Sequence, residues 1–310
     1  MTEYLLQTSQ TSTDLDYGTL AFYYRIYDYF FLAGLVILVY DHLLTLETEI
    51  KYIWLPKLRP STCWFLTVRY LALASNIMMS VYNFGDLNHE VCPNCLKMQW
   101  AWMFLIVSQE TIIEATLCIR VFAMYGLNKL VLTCLMGVTC VVAGLGLWAI
   151  VGYGKHSELL VVSGLSGCHA TYRTLTAVRP AGVWEATLVC DILVFALTIR
   201  RAYIQSRTSV LYAGSLLQRM FTDGSMYFGI IVLATLANVL TFYVDDAIVS
   251  GFLSWFTTNL SVTMLCRLML NLHQAGGLGM DTAEPNTIDL ESIQFVVPTT
   301  AMTDYEDERL

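Results

Sequence analysis

The sequence predicts an all-α polytopic membrane protein, a bundle of seven transmembrane helices with its N-terminus outside and its C-terminus in the cytoplasm. Three observations lead there. Seven apolar stretches are each long enough to cross the hydrocarbon layer, which takes about 20 helical residues. Of 310 residues, 56% are hydrophobic and only 14% charged, against about a quarter charged in a soluble domain. Lysine and arginine are divided unequally between alternate loops, as the positive-inside rule describes.

Residues 1–26 carry Glu3, Asp14 and Asp16 and no basic start leading into a short apolar core, so no cleavable signal peptide is expected. They form an extracytoplasmic segment, and the first span acts as a signal anchor. Span one is expected at 27–46 and holds Asp41 and His42; span two, at 61–82, holds Arg69. Span three, at 98–120, carries Glu110 and Glu114, an i,i+4 pair on one face. Span four, at 130–150, is purely apolar around Val141-Val142-Ala143-Gly144, whose small residues let a neighbouring helix approach closely. Span five, at 181–203, carries Glu185 and Asp191. Spans six and seven, at 225–245 and 248–270, are nearly continuous, with Asp245 and Asp246 marking the turn. The domain thus covers 27–272, and 273–310 is an acidic, disordered cytoplasmic tail. Residues 271–310 hold eight acids and one base, which accounts for −7 of the net charge of −8. No basic patch points to nucleic acid, and no internal repeat suggests the two-fold plan of many transporters.

The orientation follows from counting. With the N-terminus outside, the inner segments hold eleven bases: Lys51, Lys57, Arg59, Arg120, Lys129, Arg200, Arg201, Arg207, Arg219, Arg267 and Arg309. The outer segments hold five: Arg25, Lys97, Lys155, Arg173 and Arg179.

Of nine cysteines, Cys63, Cys118, Cys134, Cys140, Cys190 and Cys266 fall in or beside spans and read as small apolar fillers. Cys92, Cys95 and Cys168 fall on the oxidising outer side, where pairing is expected. A bridge from Cys92 or Cys95 to Cys168 would tie the loop before span three to the loop before span five. Pairing of Cys92 with Cys95, or a zinc site of Cys92, Cys95, Cys168 and His169, are the alternatives. No resident metal or cofactor is expected. The five histidines (His42, His89, His156, His169 and His273) form no metal spacing, and no enzymatic activity is expected.

Charges inside the spans carry more information, because each costs several kcal/mol, roughly, unless paired, protonated or hydrated. Asp41, Glu110, Glu114, Glu185 and Asp191 are five acids against the one interior cation Arg69. By depth, Asp41 is the expected partner of Arg69 and Glu114 the second, leaving Glu110 and Asp191 free for proton or ligand chemistry. Two carboxylates one turn apart in low dielectric do not easily both ionise, so at least one is expected neutral near pH 7. The cluster Asp41, Arg69, Glu110, Glu114 and Asp191 is the candidate site, either a proton- or cation-responsive centre or a hydrogen-bonded structural device. Asn238 reads as an interhelical hydrogen bonder. Asn259-Leu260-Ser261 matches the glycosylation pattern but lies inside a span. Tyr27, Tyr29, Trp54, Trp100, Trp102, Tyr203 and Tyr227 read as interfacial anchors.

The stretch Tyr40-Asp41-His42-Leu43-Leu44-Thr45-Leu46, with Glu49-Ile50, Ile53-Trp54 and Val68-Arg69-Tyr70, resembles the N-terminal domain of a large basidiomycete membrane-protein family known only as a domain of unknown function (number six-five-three-three). Arg120 to Gly126, Asp223-Gly224 before Tyr227-Phe228, and Arg267 to Leu272 extend the likeness. It implies a receptor-like seven-helix topology and supplies no ligand or catalytic residue. Helix count and orientation are shared with G-protein-coupled receptors, and Arg120 loosely resembles the charge at the inner end of their third helix. Span seven lacks NPxxY, and it lacks the lysine a retinal Schiff base needs. The expectation is a membrane sensor or receptor-like protein in the plasma membrane or an endomembrane. It would have a small-molecule ligand and a cytoplasmic partner, both unidentified. A carrier coupled to protons or cations is the alternative.

Overall fold

The computed structural model describes residues 17–56, 60–85, 92–153, 157–159, 170–172, 174–208, 216–244 and 250–281. Among them are seven α-helices: α1 (Tyr17–Glu49), α2 (Pro60–Phe84), α3 (Cys92–Met124), α4 (Lys129–Tyr153), α5 (Thr174–Thr208), α6 (Leu216–Thr241) and α7 (Ser254–Asp281). A short antiparallel pair, β1 (Ser157–Leu159) and β2 (Ala170–Tyr172), lies between α4 and α5 with Glu158 opposite Thr171. The protein is an all-α polytopic membrane protein with this one small ribbon added.

Five helical segments are long and apolar enough to cross a membrane: Phe22–Trp54, Pro60–Val81, Trp100–Met124, Lys129–Val151 and Arg179–Ile204. Ser225–Thr241 is apolar but shorter, and α7 falls below that apolarity. The reason lies in packing. From Ser254 to Leu270 no residue of α7 is exposed and most are buried, including Thr257, Thr258, Asn259, Ser261 and Thr263. A helix surrounded by protein need not present an apolar surface to lipid. The outer faces of the other helices show the reverse: Val36, Leu43, Ile77, Leu130, Val141 and Leu233 are all exposed, as a lipid-facing surface requires.

Sequence neighbours pack in a ring: α2 on α3, α3 on α4, α4 on α5, α5 on α6 and α6 on α7. Extensive contact between α7 and α1 completes the ring, whereas α1 and α2 touch only lightly. Helix α3 also reaches α5 and α7, and α7 reaches α2, so these two helices fill the middle.

Close approaches occur where glycine allows them. A Cβ on Gly146 of α4 would stand 2.8 Å from Cγ1 of Val107 on α3, whereas one on Gly144 would meet nothing within 4 Å. The intimate helix contact expected at Gly144 is therefore made one half-turn on. A Cβ on Gly34 would lie 3.1 Å from Cα of Phe256, marking the tight seam between α1 and α7.

Element ends differ from those the sequence suggests. Helix α1 starts at Tyr17 and passes beyond Glu49 into a π-helical turn, Ile50–Trp54, closed by the amide of Leu55 donating to the Ile50 carbonyl at 3.1 Å. Helix α7 continues to Asp281, past the boundary expected at 272. The connection from α3 to α4 is tight: Gly126 and Leu127 take φ of 66° and 61°, and the Leu127 amide donates back to the Phe122 carbonyl at 3.2 Å, a Schellman-type stop. Asn128 Oδ1 then accepts from the Leu130 amide at 3.0 Å and caps α4. Residues 1–16 and 282–310, and with them most of the expected tail, lie outside the described residues.

Candidate functional site

The interior polar residues form two separate groups. The first joins α1, its π-turn, α2 and α7. Residues 42, 45 and 49 stand at i, i+3 and i+7 on one face of α1, and Arg69 of α2 points into that face. Arg69, 3% exposed, donates from Nε to His42 Nδ1 at 2.7 Å and from Nη2 to the His42 carbonyl at 3.0 Å and Thr45 Oγ1 at 2.7 Å. Its charge partner is Glu49, fully buried, with Oε2 3.0 Å from Arg69 Nε. The other Glu49 oxygen accepts from Trp54 Nε1 at 3.0 Å and from the Tyr70 hydroxyl at 3.1 Å. The wide π-turn is what brings Trp54, five residues on, back over Glu49. The guanidinium also lies over the Phe65 ring, 5.6 Å from its centroid.

Asp41 is not the partner of Arg69. One position round the helix from His42, it faces α7 and pairs with Arg267. The sequence expectation ended the first helix at Leu46. The real helix runs on, and Glu49 thereby reaches the level of Arg69 that the depth argument gave to Asp41. Arg267 was counted as a base at the inner surface; its side chain is about one-third exposed, at the rim of the bundle.

The second group lies where α3, α5, α6 and α7 meet. Glu110 of α3 accepts from the Thr258 hydroxyl of α7 at 2.5 Å. Asp191 of α5, 4% exposed, accepts from the Thr235 hydroxyl of α6 at 2.8 Å. Glu114, one turn below Glu110 and 1% exposed, has no hydrogen-bond partner of ordinary geometry at either carboxylate oxygen. Cys118 and Cys190, both fully buried, stand beside it, and one ligand atom from each of Glu114, Cys118 and Cys190 lies within 4.8 Å of the others. Cys118 also contacts the Thr139 hydroxyl of α4 at 3.4 Å. Among the described residues, the two ion pairs present both belong to the first group, and no lysine or arginine pairs with Glu110, Glu114 or Asp191.

Thus the structure brings together Glu110, Glu114 and Asp191 and sets Asp41 and Arg69 apart with their own partners. Glu185, the other acid of α5, is drawn away from the centre to the Tyr243 hydroxyl. Arg120 lies over the Phe228 ring, 5.4 Å from its centroid. Near the same end of α3, Arg201 of α5 donates to the Met124 carbonyl at 2.9 Å and the Tyr125 hydroxyl donates to the Leu197 carbonyl at 3.1 Å. Helix α3 begins at Cys92, but the side chains of Cys92 and Cys95, and Cys168 altogether, lie outside the described residues.

Sequence reasoning missed Glu49 and the cysteines of the second group. The 42/45/49 spacing was the available signal for Glu49. For Cys118 it was the i,i+4 step from Glu114, which puts a thiol on the carboxylate's face.

Residues 29–74 match a family described as "Family of unknown function (DUF6533)". The matched segment holds every member of the first group except Arg267, so the family's sequence signature and the Arg69–Glu49 network coincide. No curated protein shows significant similarity to the chain.

Proposed function

We propose that this chain is a seven-span, receptor-like membrane sensor, N-terminus outside and C-terminus in the cytoplasm, whose acidic core receives a proton or a cationic ligand. One observation carries the reading: Glu110, Glu114 and Asp191 converge at the centre of the bundle, and among the described residues none pairs with a cation. Buried carboxylates of this kind are costly when ionised and unpaired, and a cation is what the arrangement lacks. The same acids hold helices together through hydroxyls, Glu110 to α7 and Asp191 to α6. Changing their charge changes those links and shifts the helix arrangement. The other group, with both of its carboxylates matched by arginines, supplies a fixed brace of α1, α2 and α7 against which α5 and α6 can move.

In this reading α6 and α7 both span the bilayer, the protein is not an enzyme, and its signal passes to a cytoplasmic partner. The test is a conformational reporter on the inner ends of α5 and α6 in reconstituted full-length protein, followed against pH and against organic and inorganic cations. The wild type should respond, and Glu110→Gln with Asp191→Asn should not. A silent wild type, or an unchanged response in the double variant, overturns the reading. The unpaired acids also favour a second reading, a proton-coupled carrier. Substrate flux in proteoliposomes that is lost in Glu110→Gln or Glu114→Gln would decide for that alternative.

A further inference from the structure

We propose that Glu114, Cys118 and Cys190 form a buried site for a thiophilic metal cation, Zn2+ or Cu+, between α3 and α5. The inference rests on the reading of the core as a cation-receiving centre and names a ligand class for its lower half. Glu114 and Cys118 share one face of α3 by their i,i+4 spacing, and Cys190 faces them from α5. One ligand atom from each lies within 4.8 Å of the other two. Around a tetrahedral zinc, with bonds of about 2.3 Å to sulfur, two sulfurs stand roughly 3.7 Å apart. The three side chains therefore need to draw in by at most about 1 Å, within the reach of small χ adjustments.

Two features point to a ligand rather than to packing. Glu114 is 1% exposed, yet neither carboxylate oxygen has a hydrogen-bond partner of ordinary geometry; its polar neighbours are the Cys190 thiol and the Asp191 carboxyl. A buried polar group in that condition calls for an explanation, and coordination supplies one. The donor set is also chemically selective. Two thiols with one carboxylate suit zinc or cuprous ion and poorly suit magnesium or calcium, which take oxygen ligands. Asp191 is not one of these mutually close ligands, so the protein supplies three ligands to zinc and leaves the fourth position open. Two thiolates alone suffice for Cu+. Thr139, already 3.4 Å from Cys118, can turn its hydroxyl to donate to the thiolate, as outer groups do for metal-bound ligands. On binding, each thiol that becomes a thiolate releases a proton, so occupancy and pH act on the same core.

The experiment uses full-length protein in nanodiscs, stripped with chelator under reducing conditions. It is titrated with Zn2+ in one arm, anaerobic Cu+ in a second and Co2+ as a spectroscopic stand-in in a third. One equivalent per chain should bind, and the cobalt form should show a thiolate-to-metal charge-transfer band. Cys118→Ser, Cys190→Ser and Glu114→Gln should each weaken binding tenfold or more. Cys63→Ser with Cys134→Ser, and Cys92→Ser with Cys95→Ser, should leave it unchanged. The cobalt band of the wild type keeps the proposal falsifiable if a core variant fails to fold. The proposal is overturned by absence of stoichiometric binding in all three arms. Loss of binding in the Cys92/Cys95 variant instead, or a Cys118–Cys190 disulfide in the protein as isolated, overturns it equally. A stripped wild type that still shows its proton- or cation-driven conformational response, while binding none of these metals, would remove the metal site and leave the sensor reading standing.

Discussion

Asn76 of α2 and Asn259 of α7 face each other with both amides engaged, each donating Nδ2 to the other's Oδ1 at 2.8 Å. Both are fully buried, and Asn76 gives its second N–H to the Ala72 carbonyl at 2.8 Å. This reciprocal pair ties the middle of α7 to α2 beside the seam with α1, where a Cβ on Gly34 would lie 3.2 Å from Asn259 Nδ2.

Removing one partner leaves the other amide buried and unmatched, at a cost of about 1–3 kcal/mol. Asn76→Leu and Asn259→Leu should each lower unfolding stability in detergent by that order, and the double variant should be milder than the sum. Double-mutant coupling of interhelical hydrogen bonds in membranes averages about 0.6 kcal/mol, so a value at or above that is expected. Strict additivity would contradict the pairing.

Arg69→Met strands the fully buried Glu49 carboxylate. Breaking a buried pair from one side costs roughly 3–5 kcal/mol, so this variant should be among the least stable in the chain. Combining it with Glu49→Gln should restore much of the loss. Combining it with Asp41→Asn should add a further, independent loss, because Asp41 belongs to Arg267. The two cycles, measured by reversible denaturation, discriminate the partner directly.

Gly146→Ala should destabilise by about 1–3 kcal/mol, the range for overpacking, because the new methyl meets Val107 at 2.8 Å. Gly144→Ala, with open space around it, should be neutral or slightly stabilising. A thermal melt of the two variants side by side reads the difference. Equal losses in both would contradict the close approach at Gly146.

Tags at the N-terminus and within 152–180 should be accessible on intact cells, and tags at 204–219 and the C-terminus only after permeabilisation. The basis is the eleven-to-five division of lysine and arginine. Accessibility of 204–219 on intact cells would reverse the orientation.

Cys168→Ser should lower the melting temperature, since a loop-closing bridge typically contributes about 2–4 kcal/mol. Non-reducing mass spectrometry should join a Cys168 peptide to one containing Cys92 or Cys95. Loss of stability with chelator and not with reductant would assign these cysteines to zinc instead.

Much of the architecture was legible in the sequence because lipid imposes a simple rule: a helix in contact with it must be apolar along its length. That rule gave seven stretches; among the described helices five meet it in full, Ser225–Thr241 is apolar but shorter, and α7, whose neighbours are helices, falls below it. The charged residues were legible as a set, since Asp41, Arg69, Glu110, Glu114 and Asp191 are all expensive in hydrocarbon. Their pairing was not, because it depends on rotation about the helix axis and on where a helix ends. One extra turn beyond Leu46, widened into a π-turn, moved the arginine's partner from Asp41 to Glu49. Cys118 and Cys190 read as apolar filler because a buried thiol and a ligand thiol have the same local sequence; only the fold places them together beside Glu114.

The burial of α7 bears on how the protein is made. A segment carrying Thr257, Thr258, Asn259, Ser261 and Thr263 along its middle partitions poorly into lipid by itself, since insertion of a nascent helix is governed by its own apolarity. It emerges from the ribosome after α1, α2, α3 and α6, which are then in place to receive it. On the seven-span reading proposed above, biogenesis is ordered: α7 leaves the translocation channel into a groove of protein, and Asn76 and Gly34 are the surfaces it docks on. Substitutions at those two positions would appear in cells first as failed maturation and degradation of an intermediate in which α7 is not docked, before any effect on a ligand response could be measured.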